Sequence, residues 1–263
     1  MPSCATRAFI LAGAAALLVA ASVFGQARAE SPSGGESEVT TQLWANVVLD
    51  YPKGDRSLFE LDIEPKIQIS GGDKWRNIDV SPLVEYYPSR WIDLVGEGTV
   101  GRTRQSEGVN TWEATPRLGF RLNILSNLRE KVGQPHFAPL RRVRLTTLVR
   151  VEYRNFWYSD DTPSSHGWRF RTRVETRVGI NREDLSRDRT LYGIADLEFF
   201  VPLGEDVRER YASKVRARAG LGYRFSYKWR AEALYIRDSH RETEEDPFAT
   251  DSNILNLKMK VFF

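Results

Sequence analysis

The chain has one cysteine and three histidines in 263 residues, and beyond its first 29 residues it has no apolar run long enough for a spanning helix. Each scarcity excludes something. A single cysteine, Cys4, rules out a disulfide framework and a cysteine zinc site. Histidines at 136, 166 and 240 leave little for a histidine metal centre, so no metal and no cofactor is expected. A chain without about 18 consecutive apolar residues does not cross a membrane as a helix. Net charge is also low, +3 from 38 basic and 35 acidic residues, so it does not call for nucleic acid as a partner.

What is present begins with a targeting segment. Arg7 precedes an alanine-rich apolar stretch from Ala8 to Phe24, and Ala27-Arg28-Ala29 has the small-residue spacing of a signal-peptidase site. Residues 1–29 are expected to be a cleaved secretory signal peptide, residues 30–39 a flexible N-terminal segment, and residues 40–263 the folded domain. Cleavage would remove Cys4, Arg7 and Arg28, leaving 36 basic against 35 acidic residues.

Past position 40 the dominant period is two. Phe59, Leu61, Ile63, Pro65, Ile67 and Ile69 alternate with Glu60, Asp62, Glu64, Lys66 and Gln68. Successive side chains take opposite faces only in a strand, so this segment has one apolar and one charged face. The pattern recurs in eleven segments: 43–51, 59–69, 78–86, 92–100, 112–124, 143–153, 168–180, 191–199, 211–225, 229–235 and 255–263. A soluble sandwich would turn the apolar face inward, and a membrane barrel would turn it to lipid. Aromatic residues gathered at segment ends, as in Tyr86-Tyr87, Trp91 and Phe156-Trp157-Tyr158, suit two interfacial girdles and favour the membrane barrel. The fold class is therefore an all-β, transmembrane, up-and-down antiparallel barrel. Single-chain barrels normally have even strand numbers. Twelve strands are expected, with one more near 126–139, or ten if one segment is spurious. Pro65, Pro82 and Pro116 lack a ladder donor and should mark bulges or strand ends. The final strand carries Leu257, Met259, Val261 and Phe263 on one face, the form of a barrel-assembly signal. Tight connections at 88–90 and 226–228 should share one rim, and the longer ones at 158–166, 201–210 and 238–253 the other.

The charged face is the candidate functional surface. Arg150-x-Glu152-x-Arg154 and Arg173-x-Glu175-x-Arg177 repeat one spacing on neighbouring strands, and period two turns each trio inward. With Arg142, Arg144, Arg169, Arg171, Arg216 and Arg218 they form the expected lumen lining. Residues 140–230 hold 20 basic and 12 acidic residues, whereas residues 30–139 hold 12 and 16, so one wall is basic and another acidic. Such ladders fill a narrow barrel with paired polar groups, or else they line a narrow channel for anionic solutes or acidic saccharides. A third class, a barrel acyl hydrolase, would need a serine aimed at a histidine. The candidates, Ser164-Ser165-His166 and Ser239-His240, are neighbours on one backbone, and His136 is flanked by proline. No catalytic residue and no enzyme activity is expected.

Trp44 with the hairpin after it, the Arg-x-Glu-x-Arg strand at 150–154, the Arg/Glu strand at 169–177 and the terminal Phe263 resemble a family of small Gram-negative outer-membrane barrels known as domain of unknown function 2490. The resemblance covers roughly residues 40–263. It implies a fold and an outer-membrane location, and no activity. A fainter resemblance links the arginine-lined interior to twelve-stranded acidic-saccharide channels. The partners expected of such a barrel are outer-membrane lipid and lipopolysaccharide, periplasmic chaperones, the barrel assembly machinery and an anionic solute.

Overall fold

The computed structural model describes residues 39–71, 74–105, 108–125, 142–204, 212–242 and 245–263. The segment 1–29 read as a signal peptide, all but the last residue of the 30–39 segment, and the additional strand considered near 126–139 lie outside the described residues. The regular elements are β1 (Thr40–Lys53), β2 (Ser57–Ser70), β3 (Trp75–Tyr86), β4 (Ile92–Gln105), β5 (Asn110–Asn123), β6 (Val143–Tyr158), β7 (Ser165–Gly179), β8 (Thr190–Leu203), β9 (Lys214–Arg224), β10 (Trp229–His240) and β11 (Ala249–Phe262). They coincide with the eleven alternating segments.

The strands form one closed barrel in chain order, antiparallel throughout except where β1 and β11 meet. Among the described residues eleven strands are found, between the twelve and ten anticipated, and the odd number dictates how the ring closes. Up-and-down strands alternate in direction, so the first and eleventh run the same way. Their ladder is parallel, from Thr40 opposite Ser252 to Asp50 opposite Phe262, with slanted and evenly spaced bonds.

The apolar face points outward. Leu118 is 74% exposed, and Val100, Leu221 and Leu257 are exposed with it, while Glu152, Glu198, Asp238 and Asn256 are buried inside. Exposed aromatics occupy both rims. Tyr51, Tyr86, Trp91, Tyr227 and Trp229 ring the rim that carries Phe263, here the C-terminal rim, and Trp112, Trp157, Trp168 and Phe248 ring the opposite one. The tight connections at 88–90 and 226–228 both lie at the C-terminal rim, and the three longer ones lie opposite. Length alone does not sort the rims, however. The ten-residue connection between Gly179 and Thr190 is also at the C-terminal rim, and the turns at Gly71 and Gly108, both at positive φ, are opposite.

The three prolines remain in mid-strand with no register shift. Each coincides with a local gap in one ladder. Pairing skips Pro65 on the β1 side, Pro82 on the β4 side and Pro116 on the β6 side, and it resumes beyond in the same register. A strand residue sends its N–H to one neighbour only, so proline costs one bond on one side. The shifts occur elsewhere, at Thr41/Gln42 and Asp238/Ser239.

The interior is also less uniformly charged than the alternation implies. Trp44, Tyr192, Ile194, Leu234, Ile236 and Ile254, from β1, β8, β10 and β11, form an apolar cluster against which Leu185 of the β7–β8 turn packs. Gly222 makes room for it, because a Cβ there would collide with the Tyr192 ring.

Candidate functional site: the charged lumen

Inward positions of β4 to β10 build a continuous ion-pair network. At its centre Glu152, on β6, has no exposed side-chain surface. Its carboxylate lies 3.2 Å from Arg117 Nε, 3.1 Å from Arg150 Nε, 2.5 Å from Arg169 Nη2 and 3.1 Å from Arg171 Nη1. Arg171 also donates to Glu198, which is equally buried and lies 3.3 Å from Arg218 Nη2. Arg150 reaches back across β5 to Glu97 at 2.6 Å, and Glu97 is also paired with Arg117. The network extends through Arg216, 3.9 Å from Glu198, to Asp238 at 2.6 and 2.9 Å, and beside it Arg154 donates bidentately to Glu113 at 3.0 and 3.2 Å. Planar guanidinium forks suit carboxylates in this geometry. Burial of single charges would be prohibitive, and mutual pairing of this kind is what makes it tolerable.

The network is layered. Glu152 and Glu198 sit in the wall, and the guanidiniums stand between them and a central cavity of about 450 Å³. Among the described residues, twelve lysines and arginines and six carboxylates line that cavity. The acids come from the β2–β5 side, among them Glu60, Asp62, Glu64 and Asp79, and most of the cations come from β5–β9. A second cavity of about 600 Å³ opens toward the rim opposite Phe263. The two share Trp44, Lys66, Asp79, Glu113, Lys214 and Arg216, so the outer one is a vestibule to the inner. Cations flank aromatic rings in the central cavity. Lys66 and Arg216 lie 4.6 and 5.0 Å from the Trp44 ring, and Arg169 and Arg171 lie 4.8 and 4.7 Å from Phe200.

Most of the residues expected to line the lumen meet here. Arg150, Arg154, Arg169, Arg171, Arg173, Arg216 and Arg218 face the central cavity, and Glu152 lies behind them. Glu175 and Arg177 form a separate group, in which Arg177 lies 2.7 Å from Glu175 and 2.9 Å from Glu232, and the Tyr192 hydroxyl donates to Glu232 at 2.8 Å. Arg144 shares their inward parity but is exposed near the C-terminal rim. The expectation for Arg142 is corrected. It precedes β6, donates to the Ile180 carbonyl at 3.2 Å and lies 3.6 Å from Glu183, so it clasps the β7–β8 turn and does not line the lumen. Leu257 and Met259 are exposed on the outer face, and the Phe263 amide donates to Asp50 O at 3.0 Å.

Parity alone could place the pairing acids Glu97, Glu113, Asp196, Glu198 and Asp238 inside. It could not say which arginine each would meet, because that depends on register. Among the nucleophile candidates, Ser165 Oγ lies 3.2 Å from the Tyr158 hydroxyl, His166 stacks near Tyr153 with centroids 5.9 Å apart, and His240 Nδ1 is 3.9 Å from Asp251. His136 lies outside the described residues.

A family model described as protein of unknown function (DUF2490) matches residues 41–248. No curated protein matches the chain.

Proposed function

The chain belongs to the DUF2490 family of proteins of unknown function, and from that premise we propose that it is an outer-membrane barrel whose interior is a charge-paired, non-conducting and non-catalytic core. On this reading the segment 1–29 directs export, and the outward band contacts lipid and lipopolysaccharide. One observation carries the proposal: the apolar face is outside while the lumen charges are buried against one another, with Arg150 and Arg171 only 8% exposed. A water-filled pore would leave such side chains wet. Refolded protein in a planar bilayer is expected to give no stepwise current, and regular conductance steps would overturn the closed lumen.

The excess of cations around the central cavity favours a second reading, a narrow channel for anionic solutes. It requires those steps, and a shift in anion selectivity when Arg150, Arg173 and Arg177 are together replaced by Gln.

Delivery through periplasmic chaperones to the barrel assembly machinery would use the outward residues Leu257, Met259, Val261 and Phe263 of the last strand. Phe263→Ala is expected to lower the folded fraction in cells, read as heat-modifiable gel mobility. An unchanged fraction would remove Phe263 from that role.

A further inference from the structure

Eight arginines project into the lumen from β6, β7 and β9 around the network: Arg150 and Arg154, Arg169 to Arg177 at alternate positions, Arg216 and Arg218. Seven of them hydrogen-bond to carboxylates. Arg173 does not. Its nearest acid, Glu175, is 4.0 Å away, and its Nε is buried without a hydrogen-bond partner among the described residues. Glu175 is instead held by Arg177 at 2.7 Å, and Asp196, opposite Glu175 on β8, is held by Arg218 at 2.7 Å. The acids beside Arg173 are thus committed to other cations. Lys258, on β11, lines the same cavity and makes no ion pair within 4.0 Å among the described residues. Arg173, with no hydrogen-bonded counter-charge, and Lys258, which lies opposite Glu232 across the β10–β11 ladder but contacts no carboxylate within 4.0 Å among the described residues, therefore face one space of about 450 Å³, within the range of small-molecule pockets, roughly 300–1,000 Å³.

We propose that the central cavity is a binding site for a small oxyanion, a carboxylate or phosphate, seated on Arg173 with Lys258 as the second cation. A guanidinium presents five N–H donors in a planar fork that fits two oxygens of one oxyanion, and partial burial strengthens the contact by excluding water. The vestibule gives access from the rim opposite Phe263. The paired arginines around it do not compete for the ligand, because carboxylates already occupy their forks. Lys66 and Arg216 at the junction stay engaged with Glu64 and Asp238 in the same way, at 2.7 and 2.6 Å. The site rests on the proposed reading of the charged face as the barrel's interior, and not on whether that interior conducts.

The test is calorimetric titration of the folded full chain in a zwitterionic detergent with inorganic phosphate, with succinate, and with succinamide as the uncharged analogue. Saturable binding of phosphate or of succinate is expected, and which of them binds identifies the oxyanion; succinamide should give none. Arg173→Gln should weaken binding tenfold or more, with Arg173→Lys intermediate because it keeps charge and loses the fork. Lys258→Gln should weaken it less. Arg173 has no hydrogen bond to lose among the described residues, so its variants should keep the folded mobility. Equal response to all three solutes, or unchanged affinity in Arg173→Gln, would overturn the site. Binding accompanied by stepwise conductance would overturn the closed lumen and leave the site standing, whereas silence in both assays would do the reverse.

Discussion

Glu152→Ala is expected to destabilise the barrel by about 3–5 kcal/mol, the cost of breaking a buried charge pair by removing one partner. The figure is large because this carboxylate serves Arg117, Arg150, Arg169 and Arg171 at once. Arg169 pairs with no other acid among the described residues and would be left facing the Phe200 ring at 4.8 Å. Arg117, Arg150 and Arg171 retain Glu97 and Glu198, but they would crowd together without the shared anion between them. Glu152→Gln keeps the volume and removes the charge, so it should be nearly as damaging. A mild Gln effect would assign the loss to packing and not to electrostatics. Urea-dependent folding into phospholipid vesicles measures both, with Asp55→Ala in the exposed β1–β2 turn as a control expected to change stability by less than about 0.5 kcal/mol. A Glu152→Ala penalty no larger than that of the control would mean that the network adds nothing to stability.

Leu118→Arg should cost about 2–4 kcal/mol in a bilayer, the penalty for arginine on the lipid face of a barrel near the midplane. Leu118 lies in the middle of β5, 74% exposed on the outer wall, and it pairs with Val151 and Gly96 on its two sides. The substitution breaks no ion pair and fills no cavity. In water an arginine at so open a position would be close to neutral. The sign and size of the change therefore decide where the outer face resides. Vesicle folding measures it directly, and a change below about 0.5 kcal/mol would count against lipid around β5.

Much of this molecule is legible in the order of its residues. Each strand is marked by its own alternation. Counting every second residue assigns Glu152 and Arg169 to the inner face, and Leu118 and Met259 to the outer one. The count fails where the rule is not local. Arg142 has the parity of a lumen residue but lies one position before β6, so the β7–β8 turn claims it. Proline in a strand predicts a bulge or an end, yet each of the three loses a bond on only one side and keeps its register. Ile194, Leu234 and Ile254 share inner faces with Asp196, Glu232 and Asn256. Their cluster also takes in Trp44 of β1, which neighbours β11 only because the ring closes.

The positions of the strands and the residues that share a face follow from the amino-acid order, because alternation is a consequence of the covalent geometry of an extended chain. The sign of each wall follows as well, since the acidic and basic stretches are consecutive in the chain. The closed barrel alone sets the parallel pairing of β1 with β11, the choice of Glu152 as the hub for four guanidiniums, and the exclusion of Arg173 from every close pair. Those outcomes depend on register between strands as far apart as residues 40 and 252. A register displaced by two residues would keep every side chain on its own face and give every arginine a different partner.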